Sequence, residues 1–178
     1  MNLYILRHAS AGTRRPNPKQ DEKRPLDKEG RQYILQLASV LNAFNLTFDL
    51  ILSSPLKRCL QTASLIANES GYDARIQMAR SLAPGGNYAD FHKLLQDCHD
   101  VDNVLVVGHN PTLTQFLGTL ILPAGSRTPA TVRLRKGSMA RVDMERTPAR
   151  LHWLLDPRMV RALYVNSAKS SRRKTSRK

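Results

Sequence analysis

Two arginines and two histidines carry the chemistry available to this sequence. Arg7 and His8 follow the apolar run Leu3-Tyr4-Ile5-Leu6, Arg58 follows Ser53-Ser54-Pro55-Leu56-Lys57, and His109 sits in Gly108-His109-Asn110-Pro111. A guanidinium presents a fixed fork of donors that grips an anion at two points. An imidazole can be base, acid or nucleophile near neutral pH. Brought together, the four make a pocket for a phosphoryl group, which carries roughly −1.5 to −2 charges at neutral pH. One imidazole would attack phosphorus while the other stabilises charge on the equatorial oxygens. Phosphoryl transfer asks mainly for positioning and electrostatics, which such a set supplies. No His, Cys, Asp or Glu cluster has metal-ligand spacing, so no metal and no cofactor is expected. Arg24 and Asn110 are further candidates for substrate binding, whereas His92, His99 and His152 lie in or beside amphipathic segments and read as structural or surface groups.

The elements that must position these groups follow from the apolar patterning. Asn2–Leu6 reads as a first strand that delivers Arg7 and His8 to its carboxyl end. In open α/β sheets ligands bind in the crevice beyond those ends. Residues 13–24 hold Pro16, Pro18 and several cations and read as a loop over that end. Asp27 is the expected N-cap of a helix carrying Ile34, Leu37, Ala38, Leu41 and Phe44 at helical spacing. A second strand over 49–52 leads to Ser54 as N-cap and Pro55 as first helical residue, so that the helix opens with its amide donors at the pocket. A short third strand is expected over 74–78 and an amphipathic helix near 88–98. The unbroken apolar run 103–107 has the signature of a central parallel strand ending just before His109. A helix through Leu113, Phe116, Leu117 and Leu120 follows. Later strands are expected over 128–134, 140–144 and 151–155 at an antiparallel edge, with a last helix over 157–166. Alternating strands and helices predict an α/β fold, a three-layer α/β/α sandwich around a mostly parallel sheet.

At 178 residues the chain fits one domain, expected over 1–166. No run of apolar residues is long enough to span a membrane, and no secretory signal is expected at the N-terminus. Cys59 and Cys98 match neither a metal nor a disulfide framework and are read as reduced thiols in a cytoplasmic protein. Arg58 beside Cys59 is a reason for a depressed thiol pKa, which nothing else in the sequence supports. The net charge of +14 favours anionic partners. Six of the cations fall in the last ten residues, among serines and with no large apolar group. Residues 167–178 are therefore expected to be a disordered basic tail that could contact anionic surfaces, with no specific nucleic acid implied.

The segments Arg7-His8-Ala9, Leu52-Ser53-Ser54-Pro55-Leu56-Lys57-Arg58-Cys59-Leu60-Gln61-Thr62-Ala63 and Val107-Gly108-His109-Asn110-Pro111 resemble the motifs of the histidine phosphatase superfamily. Ala9 in place of the more usual glycine, the small size and Arg24-Pro25-Leu26-Asp27 resemble its SixA branch of phosphohistidine phosphatases. The resemblance spans about residues 2–158. It implies that His8 is transiently phosphorylated, that Arg7, Arg58 and His109 form the phosphate pocket, and that the substrate is a phosphohistidine on a signalling protein of the histidine-phosphotransfer type. Many members carry a carboxylate general acid after the third strand. Here that region is Ser81-Leu82-Ala83-Pro84-Gly85-Gly86-Asn87, with no acid until Asp90. A phosphomonoester needs its leaving alkoxide protonated; phosphohistidine needs this less, since imidazole leaves more readily. Asp21, Glu22 and Asp90 are the carboxylates within range of supplying a proton. The alternatives are a phosphomonoesterase acting on small phosphorylated metabolites, and a protein that binds phosphorylated ligands or anionic polymers without turnover.

Overall fold

The computed structural model describes residues 1–123, 125–126 and 130–165. Six strands form one sheet in the order β3-β2-β4-β1-β5-β6: β1 (Asn2–Arg7), β2 (Leu50–Ser53), β3 (Gln77–Met78), β4 (Asn103–Gly108), β5 (Met139–Asp143) and β6 (Arg150–Leu155). The first four are mutually parallel, with β4 between β2 and β1. The pair β5 and β6 continues the sheet antiparallel beyond β1. The expected mostly parallel sheet with an antiparallel edge is the one observed.

Side-chain alternation along the strands separates two cores. Tyr4 and Leu6 of β1, Ile51 of β2, and Leu105 and Val107 of β4 pack beneath α2 (Lys28–Ala43) and α3 (Lys57–Ser70). A last helix, α6, over 157–165 adds Val160 to the same cluster. On the other face Leu3, Ile5, Leu52, Val104 and Val106 meet Phe91 of α4 (Tyr88–Gln96) and Leu113, Phe116 and Leu117 of α5 (Thr112–Leu120). Burial on both faces explains why β4 reads as an unbroken apolar run. Among the described residues no helix is long and apolar enough to cross a membrane.

Several local expectations are corrected. Residues 13–24 are not all loop: Pro18–Glu22 form a short helix, α1. Asn17 caps it by accepting from the Lys19 N–H, and Pro18 is tolerated in the first turn, where its missing N–H would lack an intrahelical partner anyway. The third strand is only two residues long. Helix α3 starts at Lys57 behind Leu56, not at Pro55, and has no side-chain cap. The hydroxyl expected to cap it, that of Ser54, is hydrogen-bonded to His109 at 2.9 Å and accepts from the Leu56 N–H at 3.4 Å, one residue short of the helix. Residues 130–134 form no strand. The Leu134 carbonyl, which a ladder would use, accepts from Arg7 and Asn110. Thr128 and Pro129 lie outside the described residues, as do Asn166 and the expected tail at 167–178.

Asp27 caps α2 as expected, accepting from the Gly30 N–H at 2.7 Å. Such a cap contributes about 1 kcal/mol. Its other carboxylate oxygen accepts from Ser10 Oγ at 2.6 Å and from the Gly12 N–H at 2.8 Å. The helix start is thereby tied to the segment that leaves β1 through His8. Gly30 allows the approach, because a Cβ there would run into the Ser10 carbonyl oxygen.

Candidate active site

Parallel register brings the two histidines together. Arg7 is paired with Gly108, so His8 and His109 each sit one residue past the end of adjacent strands. Neighbouring strands lie about 4.8 Å apart, and the two imidazole centroids are 5.0 Å apart. The ladder continues past the strand ends, with the His8 N–H donating to Gly108 O at 3.1 Å and the Ser54 N–H to Val107 O at 2.9 Å. Three strand ends thus meet at one point of the sheet edge.

His8 is 6% exposed and has a defined tautomer. Its Nδ1 lies 2.8 Å from the Ala9 carbonyl, which can only accept, so Nδ1 carries the hydrogen and Nε2 keeps its lone pair. Burial, with Arg58, Arg7 and Arg24 nearby, lowers its pKa to about 3 against the opposing pull of the Ala9 carbonyl. His109 is 2% exposed, and burial together with His8, Arg58 and Arg7 lowers its pKa to about 2. Its Nε2 lies 2.9 Å from Ser54 Oγ and 3.2 Å from Cys59 Sγ. Both imidazoles are neutral at pH 7.

Both guanidiniums are anchored at one end and carry an unpaired donor at the other. Arg58, buried in the first turn of α3, donates from one terminal nitrogen to the Asp21 carbonyl at 2.9 Å and lies 3.3 Å from the Asp21 carboxylate. Arg7 donates from one terminal nitrogen to Leu134 O at 2.9 Å. The Nε of each is buried without a hydrogen-bond partner. A cation in the first turn of a helix is electrostatically unfavourable, and two desolvated, unpaired N–H groups beside two neutral imidazoles make a site suited to an anion. Among the described residues no three His, Cys, Asp or Glu side chains gather into a group that could hold a metal ion.

The second-rank candidates have a different place. Arg24 holds the loop over the site, with Nε on Asp21 at 2.9 Å and a terminal nitrogen on Ala11 O at 2.8 Å and Gly12 O at 3.1 Å. Asn110 donates to Leu134 O at 2.8 Å, sharing that carbonyl with Arg7, and its Oδ1 is buried without a partner. Of the three carboxylates within sequence range, Asp21 touches Arg58 and Arg24, whereas Glu22 and Asp90 line the cavity alongside. Partial burial raises the Asp21 pKa, but the Arg15 N–H and the Arg24 guanidinium outweigh it and bring it down to about 2. Cys59 departs from expectation in the other direction. Its thiol is fully buried, and burial pushes it up to about 12 despite Arg58.

Three contributions were not legible in the motifs: Asp21 on Arg58, Ser54 on His109, and the Leu134 carbonyl shared by Arg7 and Asn110. The first two residues were visible as a nearby carboxylate and a cap candidate, but a backbone carbonyl leaves no mark in a sequence.

The model of the histidine phosphatase superfamily (branch 1) matches residues 3–83. An uncharacterized protein of Picosynechococcus sp. is 32% identical over 118 residues, which is 65% of this chain and 70% of that one. The solved protein histidine phosphatase SixA complexed with tungstate superposes with a TM-score of 0.77 at 23% identity, over 88% of this chain and 97% of that one. The chain belongs to the histidine phosphatase superfamily. It is a phosphatase. The Agrobacterium tumefaciens candidate phosphohistidine phosphatase SixA is 26% identical, with a TM-score of 0.69 over 88% of this chain and 98% of that one. The same fold also serves a mycobacterial glucosyl-3-phosphoglycerate phosphatase, at a TM-score of 0.66 and 18% identity over 85% and 95% of the two chains.

For this phosphatase the neutrality of both imidazoles has a thermodynamic consequence. Below about pH 6.5 the unfolded chain takes up protons on His8 and His109 and the folded chain does not. Stability is therefore full above about pH 6.5 and falls as pH drops toward the lowered folded values of about 3 and about 2. Urea unfolding at about pH 4.5 should show a loss on the order of 2 kcal/mol per imidazole relative to about pH 7. His8→Ala should reduce that loss. An equal loss in the variant would mean that His8 is protonated in the folded state.

Proposed function

We propose that this phosphatase removes phosphoryl groups from phosphohistidine on signalling proteins of the histidine-phosphotransfer type, by way of a phosphohistidine on His8. The observation that carries this reading is the state of Asp21. Among the described residues the carboxylate in contact with Arg58 is that of Asp21, and it is held at about 2, so at neutral pH it has no proton to give to a leaving alkoxide. Substrates with a better leaving group are favoured, and the phosphorus–nitrogen bond of phosphohistidine supplies one.

The site residues take the following roles in this reading. The Nε2 lone pair of His8 attacks phosphorus, with the hydrogen on Nδ1 kept by the Ala9 carbonyl. The bond from phosphorus to the substrate imidazole breaks, and that imidazole keeps the electron pair and takes a proton from solvent. Arg7 and Arg58 clamp the phosphoryl oxygens through donors that include their unpaired Nε groups. His109, fixed by Ser54, stabilises the charge that builds on those oxygens. Water then attacks the phosphorylated His8, which recovers its lone pair as phosphate leaves. Arg24 and Asn110 act by holding the loop and the Leu134 carbonyl that anchors Arg7 rather than by gripping the anion. The catalytic domain is read as residues 1–166 followed by a basic tail, at work in the cytoplasm.

A second reading, a phosphomonoesterase for small metabolites, is favoured by Glu22 and Asp90, which line the cavity next to Arg58. The two readings separate in a direct comparison of a phosphohistidine protein with sugar phosphates. The first predicts a kcat/KM at least about 100-fold higher on the phosphoprotein, since an unassisted alkoxide forfeits a general-acid contribution of that order. A preference for the sugar phosphates would replace it with the second.

A further inference from the structure

A cavity of about 650 Å³ opens beside Arg58 and Asp21, between the loop over the site and the turn that follows β3. Arg14 and Arg15 approach it from the loop and Arg80 from the turn. All three are exposed, and none makes an ion pair among the described residues. Both supports are held in place. The Arg15 N–H donates to the Asp21 carboxylate at 2.9 Å, and Arg24 ties the same loop to Ala11 and Gly12. The turn is compact at Gly86, where a Cβ would run into the Ser81 carbonyl oxygen. Three cations without an ion pair among the described residues thus line one space beside Arg58, together with the carboxylates of Asp21, Glu22 and Asp90.

We propose that this cavity selects substrates with acidic side chains flanking the phosphohistidine, with Arg14, Arg15 and Arg80 pairing with those carboxylates. The inference rests on the phosphohistidine reading above and deepens it. Exposed complementary charges act mainly on encounter and specificity, which is the effect expected of a rim around a reacting centre. A protein surface fits better than a ring-bearing metabolite. Small-molecule pockets are typically lined by hydrophobic and aromatic groups, and no aromatic side chain lines this one. The excess of basic residues over the chain points to an acidic partner as well.

The test uses two phosphohistidine peptides of equal length, one with Asp and Glu beside the phosphorylated residue and one with Gln and Lys. The native protein should favour the acidic peptide by about 10-fold or more in kcat/KM, chiefly through KM, and the preference should shrink as salt rises. Arg14→Glu/Arg15→Glu/Arg80→Glu should abolish or reverse the preference while leaving phosphoramidate hydrolysis within about twofold, since phosphoramidate has no flanking groups to read. Equal rates on the two peptides with native protein would overturn the proposal while leaving the phosphohistidine reading intact, and this outcome does not depend on the variant folding. Hydrolysis of neither peptide, with sugar phosphates turned over, would remove both. A doubly anionic sugar phosphate whose KM rises in the triple variant, beside peptides that are not discriminated, would assign the arginines to a small-molecule site instead.

Discussion

His8→Ala should abolish covalent labelling by phosphoramidate and lower kcat by about four orders of magnitude or more, the scale of loss when a covalent nucleophile is removed. The expectation follows from the tautomer. The Ala9 carbonyl fixes the hydrogen on Nδ1, so Nε2 offers its lone pair without having to lose a proton first. Burial keeps the ring neutral far below physiological pH, so nucleophilicity persists into mildly acidic solution. Radiolabelled phosphoramidate, quenched in alkali because phosphohistidine is acid-labile, reads the intermediate directly. Wild-type protein that turns over without label would exclude the covalent route, whatever the variant does. Folding of the variant is open to check by the urea transition near pH 7, where a smaller side chain at this position leaves the sheet and both cores in place.

Arg58→Ala should lower kcat/KM by about 10² to 10³, and Arg58→Lys should recover little of it. Arg58 has two connections that a lysine cannot both reproduce. One end of the planar fork is fixed on the Asp21 carbonyl and carboxylate, and the buried Nε is left for the anion. A lysine ammonium is a point charge on a flexible stem, so it can satisfy Asp21 or the phosphoryl oxygens but not both at the required angle. The alanine variant also frees α1 from its anchor, which should show as a raised KM on top of the lowered kcat. Steady-state rates with phosphoramidate across the three proteins measure this. A lysine variant within about threefold of wild type would reduce Arg58 to a supplier of charge, at odds with the directional grip that a bidentate pair gives.

Much of the fold was legible because its signals are local. Apolar runs located β1, β2 and β4, and helical spacing located α2, α3, α4 and α5 to within a few residues. The failures share a cause. The stretch 130–134, with Thr131, Val132 and Leu134, has strand-like composition, but its backbone serves Arg7 and Asn110, residues far away in the sequence. Ser54-Pro55 is a good helix opening by residue type, yet His109 holds the serine hydroxyl and the helix starts later, at Lys57. Pro16 and Pro18 marked a loop in which Asn17 caps a short helix. In each case a long-range partner or a cap competed with the local preference and won.

The candidate reacting groups were legible in the amino-acid order. Arg7-His8 and Gly108-His109 stand at recognisable strand ends and Arg58 in the first turn of the helix after β2, and residue type and neighbouring pattern are properties of short stretches of chain. Their adjacency and their ionisation were decided only on folding. Insertion of β4 between β1 and β2 places His109 beside His8 and Ser54, and closure of α1 over the strand ends sets Asp21 against Arg58. Burial beside the arginines then holds both imidazoles neutral, while the Arg15 N–H and the Arg24 guanidinium keep Asp21 charged against the opposing effect of burial. A protonation state is the free energy of a charge in its surroundings, and those surroundings are assembled from segments far apart along the chain, so no local stretch of sequence contains it.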